Sequence, residues 1–331
     1  MSDKHLNEIV LTGLDGMNPL AFLAALGTLY TLKTAWPNRD VRMGWTVTLG
    51  AWRPFLRIAH GTNPDEIVET VNAQVPRTDD LFPPQLRAES EAAGPRSSGG
   101  STKWKDKLRF PAGVFTRYVR SAASAASWDA RTALDFMAAW ASDGVVEQAD
   151  GIEVAQRTVF DFTSGQQSFI DLIDKLALHV SADDIRNALF GPWTYTPDPG
   201  ISLRWDPIDE GRQYALHAID PADGNKNPIV SVPGANLLAA AGLVYFPVIP
   251  GNNGAEQPGL GRFGSTRAFR WPIWESAVSS ETVRYLVGLE EICKDAPNRA
   301  SLKAMGIPVV YQASIVMPSG RYRNFTPAQA I

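Results

Sequence analysis

Cysteine is almost missing from this chain of 331 residues: Cys293 stands alone. That excludes an internal disulfide framework and suits a reducing compartment. Histidine is nearly as scarce, and His5, His60, His179 and His217 lie far apart with no pair at metal-site spacing. Positive charge is not in excess, since 31 Lys and Arg against 35 Asp and Glu leave a formal net charge of −4. A bulk polycation is thereby excluded, and any contact with nucleic acid must come from local patches. The longest apolar run, Leu20 to Leu32, is interrupted by Gly27, Thr28 and Thr31 and is too short to span a bilayer. Met1 to Glu8 is polar and has no secretory-leader pattern. No segment repeats at a fixed period, and no G-x-S-x-G nucleophile motif occurs. The expectation is a cytoplasmic protein with no membrane partner, no cofactor and no catalytic centre.

What is present is a folded chain, 44% hydrophobic and 20% charged. Asn18 is placed as an N-cap with Pro19 at the first helical position, and the apolar residues that follow predict a helix sunk in a core until Trp36-Pro37 ends it. Alternation of Val41, Met43, Trp45, Val47 and Leu49 with polar residues predicts a strand. Pro64 to Val75 reads as an amphipathic helix. Residues 76 to 113 carry Pro76, Pro83, Pro84, Pro95 and Pro111 around Ser97-Ser98-Gly99-Gly100-Ser101, which predicts a long loop, mobile near 83–111. Further helices are expected over about 121–141, from Phe169 to Leu176 behind a capping box of Ser164 and Gln167, after Ser181 and Asp184, over 236–243 and from Ser280. Short strands are expected at 159–163, 203–205, 213–219 and 307–317, with a Gly-rich loop at 249–265. The pattern is α+β: mixed helices, a mostly antiparallel sheet and long Gly/Pro-rich loops. Residues 1–113 form an N-terminal region, and 114–331 a second region packed with it or continuous with it.

Three stretches concentrate basic residues among aromatics. The first holds Lys103, Trp104, Lys105, Lys107, Arg109, Phe110, Phe115, Arg117, Tyr118 and Arg120. The second holds Arg262, Phe263, Arg267, Phe269, Arg270 and Trp271, and the third Arg321, Tyr322, Arg323 and Phe325. Cations that meet phosphates beside rings that stack bases make a nucleic-acid contact, although the same composition suits solvated loops whose rings pack inward. Mobile lysines suit phosphates, whereas a reader of base edges needs positioned groups. Gly259-Leu260-Gly261-Arg262-Phe263-Gly264 approaches the dinucleotide fingerprint but follows a polar loop, so that context fails. Asp206, Asp209 and Glu210 form an acidic cluster that suits either a turn or Mg²⁺. Asp161 beside Thr163 and Ser164 is expected to help cap a helix.

Five segments carry a resemblance: Asn18-Pro19-Leu20, Phe160-Asp161-Phe162-Thr163-Ser164-Gly165-Gln166-Gln167, Leu203-Arg204-Trp205-Asp206-Pro207-Ile208-Asp209, Ala215-Leu216, and Phe269-Arg270-Trp271-Pro272-Ile273-Trp274. In this order they resemble large-subunit-like accessory proteins of type I-G (formerly I-U) CRISPR effector complexes. The resemblance implies a non-catalytic subunit whose partners are CRISPR RNA, target DNA, CRISPR backbone subunits and a helicase-nuclease. It also implies a part in reading the short motif that flanks the target. A metal-dependent nuclease using Asp206, Asp209 and Glu210, and a protein-only adaptor, are the competing readings.

Overall fold

The computed structural model describes residues 7–58, 61–94, 108–125, 127–163, 167–196, 201–207, 230–252, 254–317 and 323–331. The first elements are β1 (Asn7–Val10), α1 (Pro19–Ala35), β2 (Arg42–Thr48), β3 (Ala51–Ile58), α2 (Pro64–Gln74), α3 (Thr78–Leu81) and α4 (Pro84–Ala93). Next come α5 (Ala112–Ser124), α6 (Trp128–Trp140), β4 (Ala141–Ala149), β5 (Ile152–Arg157), α7 (Phe169–His179), α8 (Ala182–Phe190) and α9 (Pro233–Gly242). The chain continues through β6 (Ile249–Gly251), β7 (Gly254–Glu256), β8 (Leu260–Phe263), β9 (Thr266–Ile273), β10 (Val278–Ser279), α10 (Ser280–Val287), α11 (Glu290–Cys293) and α12 (Arg299–Ala304). It ends with β11 (Val309–Val316), β12 (Asn324–Phe325) and β13 (Gln329–Ala330). The class is α+β.

Asn18 starts α1 as its sequence predicts, accepting from the Leu20 and Ala21 N–H groups at 2.8 and 3.3 Å. The helix is buried continuously from Pro19 to Leu32, having no polar stripe to turn to water. Across it lies α9, buried along its whole length. The two backbones come so close that a Cβ on Gly27 would sit 1.7 Å from the Leu238 carbonyl oxygen, and one on Gly242 2.2 Å from that of Leu23. Only glycine permits such an approach.

Two antiparallel sheets flank the first turns of α1. One has the order β1-β3-β2-β10, so a strand from the last quarter of the chain completes a sheet begun by the first. The other runs β12-β11-β9-β8, with β13 also on β11. The Trp45 N–H joins them by bonding the Trp274 carbonyl at 2.9 Å. Phe22 of α1 meets Trp45 of the first sheet and Phe269 and Trp271 of the second, at centroid separations of 5.7, 6.4 and 5.8 Å. Two of the buried indoles here find carbonyl acceptors, Trp271 on Gly16 and Trp274 on Met43, which fixes ring orientation as well as burying area.

Several expectations change. Within 76–113, α3 and α4 replace part of the expected loop, because Pro84 sits in the first turn of α4 where proline favours a helix. The helix expected over 121–141 is two, parted before Ser127, whose side chain caps α6. The cap of α7 is Ser168, with Asp171, and Ser164 lies outside the described residues. Residues 159–163 and 203–205 are irregular, and 213–219 is outside the described residues. The stretch 249–265 holds β6, β7 and β8. The β4–β5 hairpin was hidden although its turn, Asp150-Gly151 with both φ values positive at 49° and 85°, is the Asp-Gly signature of a type I′ connection.

Candidate nucleic-acid interface

The β8–β9 hairpin turns over Gly264-Ser265, and Gly264 takes φ +58°, a conformation open to glycine. Its register places Arg262 directly opposite Arg267. The last β9 residue paired with β11 is Ala268, so Arg262, Phe263, Thr266 and Arg267 form a two-stranded ribbon beyond the last residue that β11 pairs with β9. Arg262 and Arg267 are both exposed. Arg323 precedes β12, which pairs with β11 at Ile315 and Val316, the same end of the sheet. Among the described residues none of these three arginines forms an ion pair. The Arg267 guanidinium pKa is lowered by burial of part of the side chain and then by the charges of Arg323 and Arg262. It stays protonated at any working pH, so the cluster is a fixed concentration of positive charge. Like charges directly across an antiparallel pair destabilise it by a few tenths of a kcal/mol to about 1 kcal/mol.

A fourth arginine links this cluster to the first basic stretch. Arg157, at the end of β5, bonds Asp161 at 2.6 Å, and that carboxylate is wholly buried. Asp161 also accepts from the Thr163 N–H at 3.0 Å and from its hydroxyl. It thus holds a guanidinium and a turn; no helix starts at it. The Arg157 pKa is lowered mainly by burial, raised by Asp161, lowered by Arg323, raised by Glu147 and lowered by Arg109. Arg109 and Arg323, more than two hundred positions apart, therefore act on one side chain. Arg109 is placed there because the Phe110 carbonyl accepts from the Ala155 N–H at 2.9 Å and its guanidinium pairs with Asp150 of the β4–β5 turn. Sequence reasoning missed Arg157; its spacing four residues before Asp161 was the available signal.

Other candidates lie elsewhere. Arg270 is buried, only 4% exposed, with Nε on Gln312 at 2.7 Å, Nη1 on the Ile292 and Lys294 carbonyls, and its guanidinium 3.6 Å from the Phe263 ring centroid. It lies on the face opposite Phe269 and Trp271 and is covered by the Ile292–Lys294 segment, so it anchors the hairpin and leaves the contact set. Phe110, Phe115, Phe269, Trp271 and Phe325 are also buried, so these rings pack the core and do not face bases. Arg117 and Arg120 stand exposed on α5, Arg117 paired with Glu89 at 2.6 Å. Hydrogen bonds from Arg117 and Gln85 hold the Glu89 carboxyl below its usual range. Lys103, Trp104, Lys105, Lys107 and Arg321 lie outside the described residues.

Asp206 is buried and accepts from Asn18 Nδ2 at 3.0 Å and from the Tyr195 hydroxyl at 2.8 Å, bracing the cap of α1. Asp209 and Glu210 fall outside the described residues, among which no group of three His, Cys, Asp or Glu side chains is arranged for a metal. The Gly259 run serves packing: its φ is +66° and a Cβ there would lie 2.2 Å from the Arg270 carbonyl oxygen. Burial raises the Cys293 thiol pKa, against the lowering effect of a hydrogen bond from the Gly259 backbone, so the thiol stays protonated at neutral pH.

The segments carrying the resemblance are neighbours in space. Besides the Asn18–Asp206 contact, the Trp205 indole donates to the Phe160 carbonyl at 3.0 Å, and the Phe160 ring lies 5.2 Å from that of Phe269. Ala215-Leu216 is outside the described residues. No helix among the described residues is long and apolar enough to cross a membrane. Searches against protein-family models, curated proteins and solved structures found no match to this chain.

Proposed function

We propose that this chain is a non-catalytic, nucleic-acid-binding subunit of a type I-G CRISPR RNA-guided DNA interference complex, working in the cytoplasm. The observation that carries the binding half is the gathering of Arg262, Arg267 and Arg323 at one sheet end, with no carboxylate partner among the described residues and with Arg157 linking Arg323 to Arg109. A cluster of like charges that destabilises the free chain is explained by an anionic partner, and a nucleic-acid backbone supplies one. The assignment to this kind of complex rests on the five resembling segments. Its partners on this reading are CRISPR RNA, target DNA, backbone subunits and a helicase-nuclease, and its contribution includes recognition of the target-flanking motif and assembly. Assembly also gives a use to the β2–β3 tip, where Val47 and Leu49 are 61% and 79% exposed.

Co-expression with a type I-G CRISPR array and the other subunits of its locus tests this reading. The chain should co-purify with them as a ribonucleoprotein, and the assembly should bind target duplex. A chain that elutes alone and free of RNA contradicts it. Incubation with DNA and RNA in Mg²⁺ or Mn²⁺ should leave both intact. Cleavage that disappears in an Asp206→Ala, Asp209→Ala variant would instead establish a nuclease.

A further inference from the structure

We propose that the projecting β8–β9 ribbon enters the major groove of duplex DNA and sets Arg262 and Arg267 against guanine edges. The inference rests on the nucleic-acid-binding reading above and names its ligand and groove. A major groove is about 12 Å wide and admits a two-stranded β-ribbon, and its commonest specific contact is an arginine fork on guanine O6 and N7. The ribbon has the required projection, since its pairs Arg262–Arg267 and Phe263–Thr266 lie beyond the last β9–β11 pair, Ala268–Ser314.

Base readout also needs positioned side chains, and this hairpin is fixed from behind. Arg270 ties β9 to Gln312 and to the Ile292 and Lys294 carbonyls and lies over Phe263. The Arg270 N–H bonds the Gly259 carbonyl at 2.8 Å, and Asp295 accepts from the Gly264 N–H at 3.2 Å. Among the described residues the one carboxylate bonded to the turn is engaged with its backbone, and neither guanidinium fork has an ion pair. Arg323 lies beside Arg267, where it meets a flanking phosphate. Adenine and cytosine edges present an amino donor to a guanidinium, whereas guanine O6 and N7 both accept from it.

The purified full chain is titrated at low salt with duplexes that differ only in a short central step, by fluorescence anisotropy. The tightest duplexes should carry guanine in that step. Arg262→Ala and Arg267→Ala should each flatten the preference at one base position by roughly 5- to 100-fold. Arg262→Lys retains the charge but not the planar fork, so it should keep the non-specific affinity and weaken the preference at the Arg262 position alone. Circular dichroism melts establish that each variant folds. Equal affinity for every duplex, or equal loss across all of them in the variants, overturns the groove reading and leaves nucleic-acid binding in place. No binding by the wild-type chain to any duplex or single strand contradicts both.

Discussion

Where α1 crosses α9, Gly27 and Gly242 let two backbones approach until no Cβ would fit, whereas at the ribbon tip Arg262 faces Arg267 in solvent. The seam satisfies the free chain: apolar area is buried and packed to contact. The tip leaves the free chain unsatisfied. Elsewhere on the surface several arginines are matched, as in Arg39 with Glu66, Arg186 with Asp65 and Arg117 with Glu89, while Arg120 and Arg299 stand singly with no ion pair among the described residues. An exposed pair of that kind contributes only about 0–1 kcal/mol; what sets the tip apart is that three arginines without an ion pair gather at one sheet end. Packing explains the seam, and the proposed function gives the tip an external anion.

The largest effect should come from breaking the seam. Gly27→Val drives a branched side chain into the Leu238 carbonyl and should remove at least about 3 kcal/mol in urea unfolding. A loss under about 1 kcal/mol would show that the helices slide apart freely. Next is the anchor beneath the arginines. Asp161→Ala leaves Arg157 without its buried partner beside Arg109 and Arg323, and should lose about 2–3 kcal/mol, tempered because Arg157 keeps some solvent. Adding Arg157→Met should recover part of that loss; if the double variant is no better, the pair is not the cause.

Alkaline pH probes α1 from its other end. The Tyr30 pKa is raised from 10.0 to about 12, chiefly by burial and then by Asp135, against lowering by Thr132, Arg284 and Thr34. The folded state keeps a proton that the unfolded state gives up, so stability is intact below pH 10 and declines as pH rises toward 12. Ultraviolet titration should show Tyr30 ionising only near unfolding. A normal phenol titration in the folded protein would contradict the burial. The smallest stability effect belongs to the tip: Arg262→Glu replaces repulsion by attraction and should raise stability by a few tenths of a kcal/mol while abolishing nucleic-acid binding. Such a gain with that loss sharpens the contrast; a loss of stability would blunt it.

How much was legible follows the same divide. Helix α1 could be read from Asn18, Pro19 and an unbroken apolar run, and β2 from its alternation, because local chemistry determines both. The fold of 249–265 was not, since its glycines serve close strand contacts at Gly259 and the turn at Gly264, and glycine by itself also means loop. The basic stretches were visible, but not which cations face solvent. Arg267 and Arg270 stand three apart in one strand and so on opposite faces; Arg267 shares the face of Phe269 and Trp271 and is exposed only because it lies past the last β9–β11 pair, while Arg270 is buried under the Ile292–Lys294 segment. The meeting of Arg267 with Arg323, and of Arg323 with Arg157, depends on tertiary contacts across most of the chain, which no local pattern encodes.

The central claim is that nucleic acid binds where arginine lacks a partner. It is tested most directly by comparing affinity for a DNA duplex between Arg262→Ala/Arg267→Ala/Arg323→Ala and the matched-surface control Arg39→Ala/Arg186→Ala, at one fixed low salt concentration. The account predicts that the first variant folds normally and loses at least about tenfold in affinity, while the control binds as the wild type does. Equal affinities in all three proteins would contradict it.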